Sequence, residues 1–107
     1  MGKEGFIMPQ TKAVIIQEVD SHIQKENSGY RNWYVGIARD PRSRLFNDHN
    51  VSEHNGWWIF REAYSDTSAR EVESFFLDYR GTKGGPGGGD SDTKYVYAYR
   101  ITESTKE

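Results

Sequence analysis

Three residues of this chain combine a reactive side chain with a placement that invites chemistry: Tyr34, Arg44 and Glu73. Glu73 falls inside the apolar arc that Ala69, Val72, Phe75, Phe76 and Tyr79 form at helical spacing. A carboxylate on such an arc must be ion-paired, protonated or bound to a metal. Arg44 carries the planar fork that grips phosphate or carboxylate through two bonds at once. Tyr34 shares the sparse face of a short strand with Gly36 and Ala38. Each also has a plainer role. Glu73 can close an internal ion pair with Arg44 or Arg61, Arg44 an i,i+4 pair with Asp48, and Tyr34 can be a packed ring with its hydroxyl in water. Only the conjunction points to a site.

Other motifs fail on spacing. The run Gly84-Gly85-Pro86-Gly87-Gly88-Gly89 leads into Asp90 and then a strand, without the lysine and helix that a phosphate-cradling P-loop needs. Asp90-Ser91-Asp92 starts like a calcium loop but lacks the closing glutamate. His49 and His54, beside Asp48 and Glu53, have no third ligand at a zinc spacing.

The elements that must hold these residues are readable from periodicity. Thr11 to Glu26 patterns as a helix with Ile15, Ile16, Val19 and Ile23 on one stripe, closed by Asn27-Ser28-Gly29. Trp33 to Ala38 alternates as a strand, and Asp40-Pro41 opens a short second helix over 42–49. A strand follows from Gly56 to Tyr64, then a helix to about Tyr79 whose Ser68 and Glu71 fit a capping box. Lys94 to Thr102 sets Tyr95, Tyr97, Tyr99 and Ile101 against Val96, Ala98 and Arg100, a final strand. The predicted architecture is α+β, a small three-stranded, mainly antiparallel sheet flanked by about three helices in the order α-β-α-β-α-β. One domain spans 1–107, with flexible segments expected at 1–10, 81–92 and 103–107.

Composition bounds the partners. At 107 residues, 35% hydrophobic but 14% aromatic, the core must be built largely from rings. There is no cysteine, so a disulfide framework, a thiolate zinc site and a cysteine nucleophile are excluded, which points toward a hard, oxygen-ligated metal if one is bound. No apolar run is long enough to span a bilayer and no leader pattern opens the chain, so a cytoplasmic protein without a membrane partner is expected. The net charge of -2 hides a gradient: residues 31–61 hold five arginines against three acids, while 62–107 are acidic.

The run WYVGIARDPRSRLFNDHN, Trp33 to Asn50, resembles the second half of the GIY-YIG nuclease signature. Tyr34-Val35-Gly36 stands at the family's second tripeptide. Arg44 stands where its arginine is expected, and His49 resembles its histidine, one residue further on than usual. Ala69 and Glu73 resemble its Ala-x-x-x-Glu helix. The opening Gly-Ile-Tyr strand is missing before Trp33, and the family's late asparagine has no clear counterpart. A circular permutation reconciles the first of these, with Lys94 to Ile101 in place of the missing strand and Tyr97 or Tyr95 supplying its tyrosine.

The resemblance implies a metal-dependent endonuclease that hydrolyses a nucleic-acid phosphodiester, with DNA ahead of RNA as the partner. Glu73 would hold Mg²⁺ or Mn²⁺, and Arg44 would clamp the phosphate. Tyr34 or Tyr97 would help deprotonate water with His49 in support, while Arg39, Arg42 and Arg61 would add phosphate contacts. The alternative is a non-catalytic nucleic-acid-binding or protein-interaction module on the same scaffold.

Overall fold

The structure, a computed structural model, describes residues 3–85 and 89–107. It overturns the expected sheet. Four strands, not three, form one mixed sheet in the order β1-β3-β4-β2, where β1 is Lys3–Gln10, β2 Trp33–Ala38, β3 Trp58–Ala63 and β4 Tyr95–Arg100. β1 runs parallel to β3, and the β3–β4 and β4–β2 pairs are antiparallel. The segment expected as a flexible lead is thus an edge strand. Gly5 and Pro9 break its apolar pattern, and proline is tolerated at a sheet edge. The α+β class stands, with the element order corrected to begin on a strand.

The helices fall close to expectation. Helix α1, Lys12–Glu26, is capped by Thr11, whose hydroxyl accepts from Val14 N–H, and ends at Asn27 in the left-handed conformation with φ 69°. Helix α2, Asp66–Phe75, is capped by Ser65, the first of the cap candidates that residues 65–68 offer: its hydroxyl accepts from Ser68 N–H. Its last turns, Phe76–Arg80, loosen into π geometry and stop at Gly81. The short second helix is a π-wound segment, Ser43–Asp48, with the Asp40 carboxylate accepting from Ser43 N–H at 3.1 Å. No helix of the described residues is long and apolar enough to cross a membrane.

The period-two alternation of the strands sorts the core onto two faces. Trp33, Val35, Ile37, Ile59, Ala63, Val96 and Ala98 pack under α1 and α2 with Ile15, Val19, Ile23, Val72 and Phe76. Ala38, Trp58, Phe60, Tyr97 and Tyr99 line the other face, packed against Leu45 and Val51 around the π-wound turn. β2 is an outer strand, and among the described residues only part of its free edge is covered. Lys83 bridges it, accepting from Val35 N–H at 2.9 Å and donating to the Trp33 carbonyl at 2.8 Å. A Cβ on Gly84 would stand 2.5 Å from the Val35 carbonyl oxygen, so this close approach requires glycine. The expected flexibility of 81–92 falls partly on residues 86–88, which lie outside the described residues.

Candidate functional site

Beyond the Lys83 bridge the edge of β2 opens into a cleft of about 450 Å³, lined among others by Tyr34, Gly36, Arg44, Glu73 and Tyr97. β2 supplies Tyr34, the π-wound turn Arg44, α2 Glu73 and β4 Tyr97. The registers explain the meeting. Gly36 lies opposite Tyr97 and Tyr34 opposite Tyr99 on adjacent strands. A Cβ on Gly36 would sit 2.6 Å from the Tyr97 hydroxyl and 2.7 Å from its Cζ, so the glycine makes room for the tyrosine ring across β2.

Tyr97 is fully buried by its neighbours, and its hydroxyl lies 2.7 Å from His49 Nε2. On the other side of the imidazole, Nδ1 stands 2.6 Å from the Lys106 carbonyl oxygen. A carbonyl only accepts, so Nδ1 carries the proton and Nε2 accepts from the Tyr97 hydroxyl. Burial lowers the His49 pKa from 6.5, with the Lys106 carbonyl opposing and Arg44 assisting. The ring is therefore neutral at pH 7. Burial also raises the Tyr97 phenol strongly above its usual value, against the pull of Arg44. In the resting site Tyr97 is a proton donor to His49. The Tyr34 ring packs on His49 with centroids 4.7 Å apart and stacks on Tyr99 at 5.2 Å.

The π winding sets Arg44 and His49 on the same ring. His49 N–H donates to the Arg44 carbonyl at 2.9 Å, an i→i+5 bond. The Arg44 guanidinium carbon then lies 5.9 Å from the Tyr97 ring centroid while His49 meets its hydroxyl. Arg44 Nε is 3.1 Å from Asp48 Oδ2, and the half-exposed side chain reaches the cleft.

Glu73 is 4% exposed, and burial pushes its pKa up to about 7 against the opposing charge of Arg70. Neither Arg44 nor Arg61 takes it as an ion-pair partner. Arg44 is spoken for by Asp48, and Arg61 lies under α1, 2.6 Å from Glu18 and on the face away from the tyrosines. That placement removes Arg61 from the expected phosphate contacts. Arg39 does line the cleft, paired at 2.8 Å with Asp92. Arg42 pairs with Glu53 and covers the Phe46 ring, outside the cleft lining.

A hard divalent cation fits this donor set in one way. Among the described residues no group of three or more metal-ligating side chains gathers. A single carboxylate at the cleft suits Mg²⁺ or Mn²⁺ that keeps most of its water, and binding would replace the proton that burial otherwise favours on Glu73.

Two participants were invisible to sequence reasoning. Tyr99 supports His49 from behind, 3.1 Å from Nδ1; its face was legible from the tyrosine alternation, its contact was not. Lys106 contributes only backbone atoms, which carry no sequence signal. The expected flexible tail 103–107 is instead docked, with Lys106 N–H donating to the His49 carbonyl at 2.7 Å. Comparison with family models, with curated proteins and with solved structures returned no match.

Proposed function

We propose that this protein is a GIY-YIG-like, metal-dependent endonuclease whose strand order is circularly permuted. One observation carries the reading: Tyr34, Arg44, Glu73 and Tyr97 arrive from four elements to line one cleft. The pairing of β4 beside β2, with Tyr97 opposite Gly36, is the arrangement the permutation requires. The π winding absorbs the extra residue between Arg44 and His49.

Arg44 grips the scissile phosphate, trading its Asp48 contact for two bonds to phosphate oxygens. A water admitted beside the Tyr97 hydroxyl, which the free protein buries, gives its proton to the phenol oxygen as the phenol proton passes to His49 Nε2. The imidazolium so formed keeps its Nδ1–H bond to the Lys106 carbonyl. Tyr34 shields the imidazole from solvent. A divalent cation held by Glu73 would supply charge neutralisation at the phosphate. A nucleic-acid substrate goes with a cytoplasmic location, which the absence of cysteine also suits.

Arg39, Arg42 and Arg44 already hold acids, which favours a second reading, a binding module without catalysis. The deciding experiment incubates the protein with single-stranded, duplex and branched DNA, and with RNA, in Mg²⁺ or Mn²⁺. Cleavage that Glu73→Ala abolishes while weak binding persists is expected. Equal cleavage by that variant rejects the metal assignment. Binding without cleavage in every arm moves the protein to the second reading.

A further inference from the structure

The tail beyond β4 does something that a frayed terminus would not. Ile101 N–H donates to the Asn32 carbonyl at 2.8 Å, and a turn then reverses the chain. Threonine hydroxyls build that turn: Thr102 N–H donates to Thr105 Oγ1 at 3.0 Å, and Thr105 Oγ1 donates to the Thr102 carbonyl at 3.0 Å. Asn50, held left-handed with φ 57°, donates from Nδ2 to the Ser104 carbonyl at 2.9 Å. Lys106 then clamps His49 twice, its N–H on the His49 carbonyl and its own carbonyl on Nδ1 at 2.6 Å. The Tyr99 hydroxyl donates to the same Lys106 carbonyl at 3.2 Å, fixing that oxygen in place. His49 is left 3% exposed although it follows a surface turn.

We propose that residues 102–107 form a positioning strap that sets the tautomer of His49, so that Nε2 stays free to take the proton of Tyr97. The assignment of a catalytic use to that proton rests on the nuclease reading; the tautomer does not. An imidazole in water favours the form protonated at Nε2, which would leave no acceptor facing Tyr97. The Lys106 carbonyl reverses that preference through a backbone atom, with the Thr102–Thr105 turn and Asn50 supplying the geometry. Lys106 and Tyr99 are positioning residues, acting through His49.

The test is histidine-specific ¹⁵N correlation spectroscopy at pH 8 on the full chain, on a chain ending at Ile101, and on full-length Lys106→Pro, which lacks the N–H that anchors the strap. In the full chain, His49 is expected to be protonated at Nδ1. In both variants it is expected to move toward the Nε2-protonated form. If truncation unfolds the chain, the proline variant carries the comparison alone. Nε2 protonation in the full chain, or an unchanged tautomer in the folded variants, overturns the strap. Under the nuclease reading, kcat of the folded variants falls by roughly 10²-fold with KM held, because Arg44 is untouched. Absence of cleavage in the full chain would count against the nuclease reading and leave the tautomer result standing.

Discussion

The helix side of the sheet and the tyrosine face treat charge in opposite ways. Under α1, every acid that points toward the sheet meets an arginine from elsewhere in the chain: Glu18 with Arg61, Asp20 with Arg80, and Glu26 with Arg100. These pairs pin α1 to β3, to the end of α2 and to β4. At the cleft, among the described residues, Arg44 pairs with Asp48 of its own turn, Arg39 with a loop acid, and Glu73 is buried without a salt bridge. One side uses its ions to close the fold. The other keeps them available, and a site is where such availability is retained at a cost in stability.

Glu73 tests that contrast most sharply. Its pKa in the fold, about 7, lies above the usual 4.5, so the fold favours the protonated form. Below about pH 4.5 both folded and unfolded chains are protonated and nothing is lost. As pH rises toward 7 the buried charge costs increasing stability, reaching about 3 kcal/mol above it. In a chelator, Glu73→Gln should therefore be more stable than the parent in urea melts at pH 8 and equal to it at pH 4. Under the nuclease reading, the same variant should lose metal-dependent cleavage on the order of 10³-fold. A glutamine variant less stable at pH 8 would mean that Glu73 has a structural partner, and the contrast between the faces would fail.

Gly36→Ala comes next. Its methyl group would press on the Tyr97 ring, which cannot swing away without breaking the bond to His49. Overpacking of this kind costs about 1–3 kcal/mol, and under the nuclease reading kcat should fall with stability. The equivalent overpacking on the helix side, Ala98→Val, should lower stability alone. A Gly36→Ala protein with full activity would show that Tyr97 is not the proton carrier.

How much of this was legible follows from what each feature is made of. The β2 strand, α1 and the core-facing place of Glu73 are properties of side-chain period, and period is read directly from residue types. The first strand was not readable, because Gly5 and Pro9 confine its apolar run to Phe6, Ile7 and Met8, and its pairing partner lies some 55 residues on, at Trp58–Arg61. Parallel pairing of that kind leaves no local trace. Arg61 shows the same limit at the level of a side chain. Its type suits phosphate, but its place on β3, alternating with Phe60, sends it under α1. The clamp on His49 uses carbonyl and amide groups common to every residue, so only the folded chain displays it.

Arg61→Met separates the two sides from the other direction. The variant leaves Glu18 without its main partner, but the Glu18 side chain is 37% exposed and water can reach it. The loss should then be about 1–2 kcal/mol in urea melts, below that of a fully buried pair. Under the nuclease reading, cleavage and KM should be unchanged. A raised KM would return Arg61 to the phosphate contacts and erase the distinction.

The smallest effect belongs to Arg39→Ala. Arg39 and Asp92 are both exposed, so their 2.8 Å pair adds at most about 0.5 kcal/mol to stability, and melts should barely move. The readout is the salt dependence of nucleic-acid binding. An arginine at the cleft rim that exchanges Asp92 for a phosphate releases about one counterion, so its loss should shallow the slope of log K against log salt by about one. Asp92→Asn frees the same guanidinium and should tighten binding at low salt without changing that slope much. If both variants bind with parental slope and strength, the strand does not pass Arg39, and the phosphate path must leave the cleft on the Arg44 side alone.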